Sequence, residues 1–102
     1  MDFAFATCNE VLQELGTRLR AQRLAQGLRQ TELAAMAGVS PGAIKTLERT
    51  GVSSFETVIR VVQALGLTDA LQSLFELQRQ SIAQMEQAEQ SRRMRAPRRK
   101  SK

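Results

Sequence analysis

Apolar residues along this chain recur at intervals of three and four, and no segment alternates apolar and polar positions as a half-buried strand would. Val11, Leu12, Leu15, Leu19 and Leu24 form the first such series. It opens on Thr7 with Glu10 three residues later, the spacing of a capping box, and Gly27 is placed to end it. Gly16 lies inside the series and costs a helix about 1 kcal/mol relative to alanine, which implies a break or a close helix contact there. A second helix is predicted over about 30–37, with Leu33, Ala34 and Ala37 inward, and Gly38 supplies the left-handed residue that stops it. Ser40 as N-cap and Pro41 at the first helical position open a third helix through Ile44 and Leu47 to about Arg49, closed by Gly51. Ser54 caps a fourth through Val58, Ile59, Val62 and Leu65 to Gly66. Thr68 and Asp69 begin a fifth, long helix to about residue 90, with Leu71, Phe75, Ile82 and Met85 on one stripe and Gln78 between them.

A chain of 102 residues holds one core plus tails, and its 42% apolar and 25% charged residues are ordinary for a folded domain. The apolar runs are far shorter than the roughly 20 residues a bilayer span requires. Asp2 stands where a signal peptide would carry positive charge, so a cytoplasmic location is expected, with no membrane partner. The single Cys8, read as a packing residue, and the absence of histidine give no metal-ligand set and no cofactor site. The ten acids are scattered and no glycine-rich phosphate loop occurs, so an enzyme is not expected.

Charge changes the picture more than composition does. Residues 92–102 carry seven cations and no acid (Arg92, Arg93, Arg95, Arg98, Arg99, Lys100 and Lys102), whereas residues 1–91 hold 8 cations and 10 acids. Within that body, residues 15–66 have seven cations and three acids. Positive charge concentrated in the middle and at the end is the footprint of a polyanion binder. Pro97 and the crowded like charges argue against helix in the tail, which is expected to be disordered. Lacking aromatic residues to stack on bases, it suits duplex phosphate better than single-stranded RNA.

The run Gly27, Leu28, Arg29, Gln30, Thr31, Glu32, Leu33, Ala34, continued by Ala37, Gly38, Val39, Ser40 and then Ile44, Leu47 and Glu48, resembles the XRE, or lambda-repressor-like, helix-turn-helix family. The resemblance spans about residues 15–67. It implies two short helices at a tight turn, the second entering the major groove while the first crosses the phosphates. Residues 1–14 then extend the first helix, 15–67 form the DNA-binding domain, 68–91 a helix for dimer or partner contact, and 92–102 the basic tail. The expected fold is all-α: a five-helix lambda-repressor-like domain with an extended C-terminal helix.

Gln30, at a helix start whose free N–H groups favour anions, is the expected phosphate anchor, flanked by Arg29 and Thr31. Arg29 replaces the serine or threonine cap frequent in the family, losing a cap and adding a cation. Ser40, Pro41, Gly42, Ala43, Lys45 and Thr46 occupy the outward or N-terminal positions of the recognition helix, with Arg49 at its end. Pro41 and Gly42 stand where family members commonly have glutamine, arginine or serine, and neither offers a side-chain hydrogen bond to a base. Readout therefore falls to Lys45, Thr46 and an Ala43 methyl contact, or to DNA shape and backbone contacts. The resemblance also implies a partly buried pair between Arg23 and Glu48 joining the first helix to the third.

The expected function is a dimeric transcriptional repressor acting on double-stranded DNA. Gly51, Val52, Ser53 and Ser54, then Leu65, Gly66 and Leu67, and the segment from Asp69 to Phe75, more loosely resemble HipB-type antitoxins. Those repress their own operon and hold a HipA-like kinase toxin. The alternatives are a phage-type or stand-alone XRE regulator, and a protein-interaction adaptor that uses the same scaffold.

Overall fold

The computed structural model describes residues 2–77, 86, 87 and 89–92. Its order is a 3-10 turn at Phe3–Phe5, helices α1 (Cys8–Ala25), α2 (Gln30–Ala37), α3 (Pro41–Thr50) and α4 (Phe55–Ala64), and a 3-10 turn at Thr68–Leu71. Every regular element among the described residues is helical. None of these helices is long and apolar enough to cross a membrane.

Local chemistry sets the boundaries. Thr7 Oγ1 accepts the Glu10 N–H at 3.1 Å while Glu10 Oε1 accepts the Thr7 N–H at 2.8 Å, so both halves of the capping box form. Ser40 and Ser54 each accept an N–H three residues on, from Ala43 and Thr57, both at 3.0 Å. At α2 the Arg29 side chain makes no cap, and only the reciprocal bond is present, Arg29 N–H to Glu32 Oε1 at 2.7 Å. Gly38, at φ 71 and ψ 33, turns the chain out of α2 in a left-handed conformation that costs other residues roughly 1–2 kcal/mol.

The core is Leu33, Ala34, Ala37, Ile44, Leu47, Val61 and Leu65, against which Leu19, Leu28, Val39, Val58, Ala64 and Leu67 pack. Leu33, Ile44 and Val61 are completely enclosed. Ala34 is small where α2 faces α3 and α4. Leu15 and Leu24, although in register with the apolar series of α1, are 42% and 51% exposed. The reason is glycine, because α1 lies so close to the end of α3 that backbone takes the place of side chains. A Cβ on Gly16 would sit 2.4 Å from Leu47 O, and one on Gly51 would sit 2.0 Å from Leu12 O. The anomaly at Gly16 is thus a close approach, and α1 continues through it unbroken.

The long fifth helix expected from Asp69 does not form over the described part of that segment. Thr68–Leu71 is a 3-10 turn, followed by turns to Phe75, whose φ of 65 is incompatible with a continuing right-handed helix. Only Leu71 on this stretch is half-buried. A stripe without a facing surface lacks the tertiary packing that supplies most helix stability. Residues 86, 87 and 89–92 are helical, and Arg92, the first cation of the tail, pairs with Glu89. Ile82, Met85 and the other tail cations, Arg93, Arg95, Arg98, Arg99, Lys100 and Lys102, lie outside the described residues.

Candidate nucleic-acid interface

The side chains assigned to DNA gather where α2 starts and where α3 faces outward. Their support is a buried ionic network. Arg23, near the end of α1, donates from Nε to Glu48 Oε2 at 2.7 Å and from Nη2 to Glu48 Oε1 at 3.0 Å, a two-bond fork that suits the planar guanidinium. Its Nη1 donates to Leu28 O at 2.7 Å, which fixes the turn leading into α2. The two side chains are 7% and 3% exposed. Hydrogen bonding to Glu48 raises the Arg23 pKa above the ordinary arginine value, outweighing the opposing effect of burial. Gln30 completes the network, its Nε2 donating to Glu48 Oε1 at 3.1 Å. This holds the amide at the mouth of the α1–α2–α3 junction, with the second hydrogen on Nε2 and the Oε1 atom still available.

Around that junction Thr17, Arg20, Gln30, Lys45, Glu48 and Arg49 line an open depression of about 370 Å³. Among the described residues Glu48 is the only acid lining it, and both of its oxygens are engaged by Arg23 and Gln30. Arg18, Arg20 and Arg49 each read from the sequence as either a phosphate contact or a solvated charge, and of the two on α1 it is Arg20 that lines this depression. It precedes Arg23 by three positions, which puts the two on one face of α1, and that face meets α3. The same argument brings in Thr17. Lys45 and Arg49, four apart, form the opposite wall on α3.

The beginning of α3 is barer. Ser40 Oγ is occupied as the N-cap acceptor. Pro41 and Gly42 are exposed but carry no polar side-chain atom, and a Cβ on Gly42 would meet nothing nearer than Ser40 Oγ at 3.9 Å. Ala43 is half-buried, and Lys45 and Thr46 are exposed. Arg29 and Thr31 are exposed at the start of α2. The surface therefore presents cations and amide hydrogens at its flank and almost no hydrogen-bonding groups at the tip of α3. Beyond Thr17, which borders both, a second depression is lined by Glu10, Gln13 and Glu14.

Residues 14–75, more than half the chain, match a family described as a helix-turn-helix domain. The chain belongs to the helix-turn-helix domain family. The match covers α2, the turn at Gly38 and α3 together with α4 and most of α1, so the depression lies wholly inside it. Membership makes this a DNA-binding regulator module, and such domains are typically non-enzymatic. No curated protein matches the chain. Of the residues assigned to a dimer or partner contact, this helix-turn-helix protein leaves Phe75 84% exposed and Leu71 half-buried.

Proposed function

We propose that the chain is a transcriptional repressor that occupies duplex DNA as a homodimer, with α3 in the major groove and the start of α2 on the phosphates. The observation that carries this reading is that Gln30, at the start of α2, and Lys45 and Arg49, on α3, line one open depression, with Arg29 exposed at the start of α2. Thr31, Ser40, Pro41, Gly42 and Ala43 complete the contact surface, and Lys45 and Thr46 supply what base readout there is. Repression follows from occupancy, since a protein seated on an operator excludes polymerase. Dimerisation is part of the reading because one short recognition helix contacts few base pairs. Leu71, Phe75, Ile82 and Met85 are its proposed partner residues, and the basic tail adds sequence-independent attraction.

Within this class we infer the role of an antitoxin that represses its own operon and holds a HipA-like kinase. Two observations support it: the resemblance of residues 51–54 and 65–75 to that group, and the exposure of Leu74, Phe75 and Leu77 at 45%, 84% and 94% just past α4. The test is a titration of the full chain against the duplex upstream of its own reading frame and against random duplex, at stated salt, with and without a HipA-like kinase if the adjacent reading frame encodes one. Preference for the upstream duplex and loss of kinase activity on complex formation are expected. Absence of duplex binding at low ionic strength overturns the DNA-binding reading. A kinase that ignores the chain overturns the antitoxin role alone.

A further inference from the structure

The ion pairs among the described residues use Arg18, Arg23, Arg60 and Arg92, and none involves Arg20, Lys45 or Arg49. These three cations nevertheless face one depression, with the Gln30 amide and the Thr17 hydroxyl beside them. Three like charges around one depression raise the local positive potential, and an anion seated there would be stabilised by all three. Glu48 does not serve, because its carboxylate is almost wholly enclosed and is compensated by Arg23. The space is open on one side, so the anion can belong to a polymer lying across it.

We propose that this depression seats a backbone phosphate of duplex DNA and that Arg20, on α1 and outside the two-helix motif, is one of its ligands. The proposal rests on the DNA-binding reading above and adds a third helix to the contact surface. Arg20 approaches from α1, Lys45 and Arg49 from α3, and Gln30 offers its remaining amide hydrogen from the start of α2. Phosphate held from three helices fixes the position of α3 in the groove without help from base contacts, which suits a recognition helix whose tip carries Pro41 and Gly42. Arg18 provides an internal comparison. Two residues before Arg20, it points about 200° around the helix. It pairs with Glu14 at 2.9 Å and lies over the Phe3 ring at 5.1 Å.

The experiment compares full-length wild type, Arg20→Gln and Arg18→Gln on a random-sequence duplex across a salt series, with thermal melts of all three. Arg20 is exposed and makes no ion pair, so its variant is expected to melt as wild type does. Loss of one phosphate contact should reduce the slope of log affinity against log salt by about 0.9 for Arg20→Gln. Affinity at low salt should fall by about tenfold, the equivalent of one charge-assisted hydrogen bond. Arg18→Gln should change neither, although it removes the same net charge. Equal effects of the two variants would mean that only net charge matters and would overturn the assignment, as would an Arg20→Gln slope identical to wild type. If wild type binds no duplex at any salt, the DNA-binding reading itself has failed, which is a different result. Inorganic phosphate is the second probe: protection of Arg20, Lys45 and Arg49 resonances by phosphate but not by duplex would assign the seat to a free anion and overturn the proposal.

Discussion

Replacing Arg23 with alanine tests how the interface is held in shape. The substitution removes both bonds to Glu48, at 2.7 and 3.0 Å, and the bond to Leu28 O. It leaves a carboxylate with a 3% exposed side chain and Gln30 as its remaining hydrogen-bond donor. Stranding one member of a buried ion pair costs about 3–5 kcal/mol. The retained Gln30 bond and water entering the space of the lost side chain put the expected value near the lower end, about 3 kcal/mol. In a domain of this size each kcal/mol shifts the melting temperature by about 4–8 °C, so the effect is large on any melt or urea titration. The pH dependence has a definite sign. A group whose pKa is raised on folding contributes stability that is fully present below its unfolded value and is lost only as pH rises past it. For Arg23 that places the loss above the ordinary arginine range, so the wild-type to Arg23→Ala difference on the arginine side should be constant through neutral pH. A second variant separates charge from packing. Arg23→Leu combined with Glu48→Leu removes both ions and should recover most of the stability, since well-packed apolar replacements of buried pairs are often neutral. A denaturation midpoint for Arg23→Ala indistinguishable from wild type, or a double variant no better than the single one, would refute the reasoning.

Other substitutions probe the rest of the framework. Gly51→Ala drives a Cβ to 2.0 Å from Leu12 O at a φ of 77 and should cost about 3 kcal/mol or more. Gly27→Ala, at a φ of 70 with nothing within 4 Å, should cost only about 1–2, and equal melting of the two would show that the α1–α3 approach is not tight. Lys45→Ala with Thr46→Ala should weaken binding to the natural operator more than to random duplex in a competition at fixed salt; equal losses would remove them from readout. Gly42→Gln enters open space and should sharpen the sequence preference recovered from a randomised duplex library, while an unchanged profile would place position 42 away from the bases. Truncation after Ser91 removes seven cations, and if three to five of them touch phosphate the salt slope should flatten by about 3–4 on any duplex. An unchanged slope would mean that the tail does not reach DNA.

The helix starts were legible in the sequence because each rests on local chemistry: Thr7 with Glu10, Ser40 before Pro41, Ser54. The stops at Gly38 and Gly51 were readable for the same reason. What escaped depends on distance in three dimensions. Leu15 and Leu24 have the right spacing for a core face, but Gly16 brings the α3 backbone against α1 and shifts which side of the helix is covered. Val61 is the most enclosed residue of α4, whereas the helical stripe favoured its neighbours Val58, Ile59 and Val62; pattern reading resolves a helix face only to about one position. The stripe at Leu71 and Phe75 is genuine periodicity, yet periodicity proposes a helix only where something faces it. Arg20 could be read from the sequence as a phosphate contact or a solvated charge but no more than Arg18 could, because only the packing of α1 on α3 separates the two, and Thr17, contributed by the same helix, was passed over.

The two depressions that meet at Thr17 give α1 a direction. On one side stand Arg20 and the α3 cations; on the other stand Glu10 and Glu14, the latter only partly offset by Arg18. A strand of phosphates seated on the first face, as proposed, would be repelled as it passed toward the N-terminal turns. Docking the domain end over end would set carboxylates on phosphates, a like-charge juxtaposition that costs several kcal/mol. On the DNA-binding reading proposed above, polarity on a duplex would then come from a change of sign along the first helix and not only from asymmetric base contacts. In the proposed homodimer, that change of sign would orient each copy before either had read a base.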